Sequence, residues 1–410
     1  MDAILYEWAS FTVRWLHVTA AIAWIGSSFY FIALDLGLVK RPGLPDGVKG
    51  EEWQVHGGGF YHIQKYLVAP AALPEHLTWF KWESYMTWLS GFAMLVLVYY
   101  MQADLFLVDP QVADIPPAAG IALSIVSLAV AWIVYDLLSR SALGHRPLLL
   151  GAVLCALLVA FVWGYARIFS GRAALLHLGA ITATIMTANV FFVIIPNQKI
   201  VVADLRAGRT PDPDYGRVAK LRSTHNNYLT LPVIFLMLSN HYPLAFATEW
   251  NWLIGALVFG MGVSIRHFFN SRHARAGSPW WTWAVTAALL AAIVALSVLG
   301  RAGAGEEESE ARAAALGGEA ARLAASPLMS DVTDVVTSRC AMCHAADPAW
   351  DGITAPPRGV KLETGADIAR HGRQIWLQAG ITHTMPPANV SGMNAEERAL
   401  IRRWFEEGHS

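Results

Sequence analysis

Apolar residues gather in eight long runs, at about 11–34, 86–107, 119–138, 148–168, 174–195, 229–242, 251–269 and 280–299. A bilayer core takes roughly 20 apolar residues as a helix, and every backbone N–H and C=O inside it must find a partner within the protein. Runs of this length in lipid can therefore be helices and little else. The balance of the chain agrees, because 55% hydrophobic and 15% charged residues lie outside the soluble globular range. The sixth run is short; it either continues N-terminally through Tyr228 and its predecessors or is a broken helix lining a cavity. The first run is too long for the apolar part of a signal peptide and lacks a small-residue cleavage site, so it reads as a retained span.

Near the C-terminus the chain changes character. Cys340-Ala341-Met342-Cys343-His344 has the C-x-x-C-H spacing of c-type haem attachment. Each thiol adds across one haem vinyl group, and the adjacent His becomes the proximal iron ligand. A zinc knuckle would need a second ligand pair, and a redox dithiol a βαβ context; neither is present. The remaining cysteine, Cys155, lies alone in an apolar run and reads as a small core residue. Met385, ahead of Pro386-Pro387, is the candidate sixth ligand, with Met393 as its competitor. Met/His ligation raises the potential and suits electron transfer. Asn394-Ala395-Glu396-Glu397 reads as a capping box opening a helix through about Phe405, and a second helix precedes Cys340. This arrangement resembles a class I cytochrome c. The expected fold is all-α: an eight-helix transmembrane bundle over 1–300, a linker rich in Ala, Gly, Glu and Arg over 301–327, and a class I cytochrome c domain over 328–410.

Orientation follows from the basic residues. The odd-numbered loops hold fifteen Lys and Arg, whereas the second and sixth hold none and the fourth only Arg167 and Arg172. Positive charge stays on the cytoplasmic side, which puts both termini in the periplasm of a bacterial inner membrane. Haem c is attached on that side, so two independent arguments agree. A net charge of −1 speaks against nucleic acid. The first cytoplasmic loop, about 35–85, is too long for a simple connection and is expected to fold onto the membrane surface.

Ionisable residues inside a membrane are functional candidates. His17 and His177 lie at similar depth on the first and fifth spans, about 8–9 Å below the outer helix ends at 1.5 Å per residue. Such a pair suits a haem b with two imidazole ligands, with Arg14 and Arg172 toward its propionates. The plainer alternative is that each His bonds a neighbouring helix and each Arg snorkels. A second group (His56, His62, His76, His225 and His267, with His145 and His273 further out) lies toward the cytoplasm. One pair from it, with His76 and His267 as candidates, could hold a second haem b, and others could bind substrate. His241 sits at the outer end of the sixth span. Asn189, Asn197 and Gln198 are either interhelical hydrogen-bonding groups or substrate contacts.

Taken together, His56-Gly57-Gly58-Gly59-Phe60-Tyr61, Trp79-Phe80-Lys81-Trp82-Glu83-Ser84-Tyr85, the stretch 188–199 and His225-Asn226-Asn227-Tyr228 resemble the membrane-bound cytochrome c urate oxidase (urate hydroxylase) family over essentially the whole chain. The resemblance implies oxidation of urate to 5-hydroxyisourate. Electrons would pass to the chain's own cytochrome domain and on to a terminal oxidase or a soluble periplasmic cytochrome. The sequence leaves the oligomeric state open, a homo-oligomer included. A flat, weakly acidic purine wants an aromatic face, bidentate donors and a general base near neutral pKa. The residues expected to supply these are His225, Asn226, Asn227, Lys65, Gln198 and Glu83, with Tyr61 or Trp79 to stack. The rival reading is a non-enzymatic conduit from quinol to a periplasmic acceptor; a haem- or copper-handling membrane protein is a more distant third.

Overall fold

The computed structural model describes residues 3–66, 73–109, 112–246, 248–299, 316, 318–351, 353 and 355–409. Helices occupy all eight apolar runs: α1 (Ala3–Gly37), α2 (Trp82–Leu95, continued by a π turn Val96–Tyr100), α3 (Pro117–Arg140), α4 (Pro147–Tyr165), α5 (Gly171–Arg206), α6 (Pro213–Ser239), α7 (Asn251–His273) and α8 (Trp281–Leu299). Their starts are written in the sequence. Pro117, Pro147 and Pro213 sit in the first turn, where a missing N–H costs nothing. Ser170 and Asp212 cap α5 and α6 by accepting from Ala173 N and Asp214 N.

By length and composition, six of these helices can cross a membrane: α1, α3, α4, α5, α7 and α8. The expected eight is therefore met in six by this measure. The first half of α6 carries Arg217, Lys220 and Arg222, and α2 is short before its π turn. The run at 229–242 is the apolar end of a continuous helix that begins at Pro213, not a broken one.

α5 is the most enclosed helix and α7 follows it, while α1 and α8 are nearly bare. Their exposed faces present Trp8, Phe11, Trp15, Ile22, Val294 and Val298, an apolar exterior suited to lipid rather than water. Around α5, residues such as Leu175, Leu178 and Ile181 pack with Leu107, Tyr135, Val162, Phe169 and Leu236. At the α6–α7 seam, Gly262 faces Pro232 so closely that an added Cβ would lie 2.5 Å from the proline ring. Small residues let membrane helices approach in this way.

The all-α expectation needs one correction. Val48–His56 and Gly59–Tyr66 form an antiparallel hairpin, β1 and β2. Its two-residue turn places Gly57 and Gly58 at positive φ, which a primed hairpin turn requires. Glu51 accepts a hydrogen bond from His62 at 2.6 Å, and Trp53 stacks on the same ring at 4.2 Å.

The C-terminal unit begins earlier than expected. Within the anticipated linker, α9 (Gly318–Ala324) sinks Leu323 against Trp404, both fully buried; residues 300–315 and 317 lie outside the described residues. α10 (Met329–His344) and α11 (Ala395–His409) pack through Val332, Val336, Ile401 and Phe405. Arg339 of α10 donates to Glu397 of α11 at 2.8 Å. The capping box forms as its residues require: Asn394 N donates to Glu397 Oε2 at 2.7 Å and Glu397 N to Asn394 Oδ1 at 2.9 Å.

Candidate functional site

The polar residues of α6 face two ways. Successive positions on a helix are turned by about 100°, so Asn226 and Asn227 serve different neighbours. Toward α3 and α5, Arg222 is 1% exposed and donates to Asp136 at 2.7 Å and to Asn189 Oδ1 at 3.3 Å. Asn189 opens the π turn Asn189–Ile194 inside α5 and donates to Tyr135 Oη and Asn226 Oδ1. Asn226 in turn donates to the Met186 carbonyl at 2.9 Å. His225 pairs its Nδ1 with Tyr135 Oη at 2.8 Å, and its Nε2 meets no hydrogen-bonding partner among the described residues. π turns interrupt helices at functional sites often enough to mark this one.

Toward α7 and α1, Asn227 Oδ1 accepts from Arg266 Nη2 at 3.2 Å and from Asn270 Nδ2 at 2.9 Å. The Arg266 guanidinium lies 4.2 Å above the Phe29 ring. Next to it, Tyr228 Oη and His267 Nδ1 are 3.3 Å apart. Asp136, Arg222, Tyr135, Arg266 and Asn270 were not among the expected site residues. The rule that picked out the histidines, an ionisable group inside an apolar run, applies equally to Asp136 and Arg266.

The other expected residues stand elsewhere. Lys65, on β2, bonds Asp35 of α1, a carboxylate that also lies 3.7 Å from Lys220. The ammonium thus clamps the hairpin to α1. Glu83 is half-buried in the first turn of α2, and among the described residues it makes no hydrogen bond or ion pair with α6. His76, Gln198 and Tyr61 are exposed and Trp79 is half-buried; among the described residues none makes a hydrogen bond, ion pair or ring contact with His225 or His267.

The donor sets can be matched to the groups they were expected to hold. His344 donates Nδ1–H to the Val360 carbonyl at 2.9 Å, which orients the ring and keeps Nε2 for an axial bond. Burial holds its pKa below the ordinary imidazole range. Burial, aided by Cys343, pushes the Cys340 thiol up to about 12. Met393 is 3% exposed in the apolar core whereas Met385 is 37% exposed; of the two, Met385 has the free thioether. This set fits a haem attached through two thioethers.

In the membrane, His17 anchors Nδ1 on the Thr87 carbonyl at 3.0 Å, with Gly91 leaving room for its ring. That is again an axial-ligand posture. His177 differs. Its Nδ1 donates to the Ala173 carbonyl at 2.8 Å and its Nε2 pairs with Ser124 Oγ at 2.6 Å, with Phe169 stacked on its face. Both nitrogens are occupied by protein, so this packing does not fit His177 as an iron ligand. The two imidazoles rest on different helices, α2 and α3, as the plainer reading had it. Arg14 and Arg172 do converge: they and Arg358 of the C-terminal unit lie within electrostatic reach of His241. Among the described residues no three His, Cys, Asp or Glu side chains form a metal cluster.

The helices and these buried polar clusters define a multi-pass helical protein with a polar site inside its apolar bundle and a separate C-terminal helical unit. Residues 3–297 match the family model described as urate oxidase N-terminal, and the chain belongs to that family. No curated protein and no solved structure matches it.

Proposed function

We propose that this chain oxidises urate to 5-hydroxyisourate within the bundle and delivers the electrons to a haem c on its C-terminal unit. The match over 3–297 to the urate oxidase family carries the reading. The C-x-x-C-H segment with a pre-oriented His344 supports the electron exit. The reaction adds water at carbon 5 of urate and releases two electrons and two protons. When bound, haem c on Cys340, Cys343 and His344 would supply the one-electron acceptor, with a terminal oxidase or a soluble cytochrome as the onward partner.

The chain's own residues do the rest. His225 Nε2 takes a proton from the attacking water while Tyr135 holds Nδ1, and Asn226 is fixed by Asn189 and the Met186 carbonyl. Arg14, Arg172 and Arg358 supply positive charge for propionates at the junction of the two units. A haem b on His17 belongs to this proposal, whereas His177, held by Ala173 and Ser124, is left out of it. The site opens inward and both termini lie outside, in keeping with the basic loops.

Anaerobic addition of urate to oxidised membranes tests the reading. The α-band of haem c is expected to rise, and Ala at His225 is expected to slow that rise by about 100-fold or more, as loss of a general base does. Reduction by a quinol analogue but not by urate would instead support the conduit.

A further inference from the structure

Arg222 of α6 and Arg266 of α7 are both buried, and among the described residues only one has a counter-ion. Arg222 meets Asp136 at 2.7 Å. Arg266 is 6% exposed and meets amide oxygens only, those of Asn227 and Asn270. No carboxylate among the described residues pairs with it. Its Nε is buried without an acceptor, and so is Nδ2 of the fully buried Asn227 that it touches. A buried cation and two idle donors are costly unless an anion with two acceptors meets them.

We infer that Arg266, Asn227 and Asn270, with the Phe29 ring as a wall, form the seat for the anionic edge of an oxopurine. This rests on the proposed function and names the part of the substrate that α7 recognises. The neighbouring donors, Arg266 Nε and Asn227 Nδ2, suit the ring nitrogen and carbonyl of a deprotonated purine, which accept two hydrogen bonds along one edge. Phe29 orients the guanidinium. Asn270 supplies oxygen without charge, so the positive charge stays available. Urate, anionic at neutral pH, is preferred over neutral hypoxanthine by this logic.

Equilibrium dialysis of full-length protein in detergent, reduced with dithionite so that it accepts no electrons, measures binding apart from turnover. Arg266→Gln is expected to weaken urate binding by about tenfold or more, the worth of a charge-assisted hydrogen bond, and hypoxanthine binding far less. Asn270→Asp guards against misfolding, because the new carboxylate pairs with Arg266 in place of the ligand. It is expected to melt no lower than wild type and to lose urate to a similar degree. Wild-type urate affinity in Asn270→Asp, or equal loss of urate and hypoxanthine in Arg266→Gln, would overturn the inference. So would wild-type reduced protein that does not bind urate. Protein that binds urate in this way but never passes electrons to haem keeps the anion seat and removes the proposed oxidation.

Discussion

Asp136 shows how much one side chain can decide. It accepts from Arg222 at 2.7 Å inside the bundle and from Arg140 at 2.7 Å nearer the surface. Breaking a buried pair from one side leaves an uncompensated charge, at a cost of about 3–5 kcal/mol. Asp136→Asn is therefore expected to lower the unfolding free energy by that order. Replacing the pair together with Leu and Met is expected to recover most of it, as a thermal denaturation series in detergent would show. The contrast with Arg266 is informative. Both guanidiniums are buried and both bond asparagine oxygens, yet only the one beside a carboxylate is electrically closed. By sequence alone the two are simply basic residues of α6 and α7. Which of them meets an acid is set by the rotation of α3 and α7 against α6.

At the level of single elements, local chemistry explains most of what forms. The start of α11 follows from four consecutive residues whose bonds are confined to one helical turn. The Arg339 hydrogen bond, reinforced by the Asn394 backbone N–H, holds the Glu397 carboxyl below its usual value of 4.5. A carboxyl lowered in the folded state stabilises fully above its unfolded pKa, and that contribution is lost as pH falls through the folded value. The unit is thus expected to loosen on acidification below about pH 4.5, and Glu397→Gln to flatten this part of the profile, read by near-ultraviolet circular dichroism. The hairpin is equally legible, although the all-α expectation leaves it out. Val55-His56-Gly57-Gly58-Gly59-Phe60 carries the glycine pair of a two-residue turn between alternating strands. Its histidine and lysine suggested binding chemistry, and that reading masked the turn signal. Lys65 instead secures β2 to α1.

For the whole molecule, the question is how the C-terminal unit sits on the bundle. Its direct contacts are with the outer part of the bundle: Gln374 donates to Gln102 at 3.1 Å, Arg373 covers the Tyr6 ring at 5.4 Å, and Phe246 meets Gly359. Arg167 stacks on Trp163 and Arg172 on Phe106. One hydrogen bond and one cation–π contact are together worth about 2 kcal/mol. Replacing Arg373 and Gln374 by Ala is expected to raise amide exchange at Tyr6, Gln102 and 372–377 without changing exchange within α5. The parts readable from the chain alone share one property, which is that their causes lie within a few residues of each other. Apolar length defines a membrane helix, C-x-x-C-H a haem-attachment spacing, and Asn-Ala-Glu-Glu a helix start. The pairings of Asp136 with Arg222, His177 with Ser124 and Arg266 with asparagines alone depend on which face each helix turns to its neighbour. Helices apolar all round carry almost no stripe to announce that face, so packing decided it.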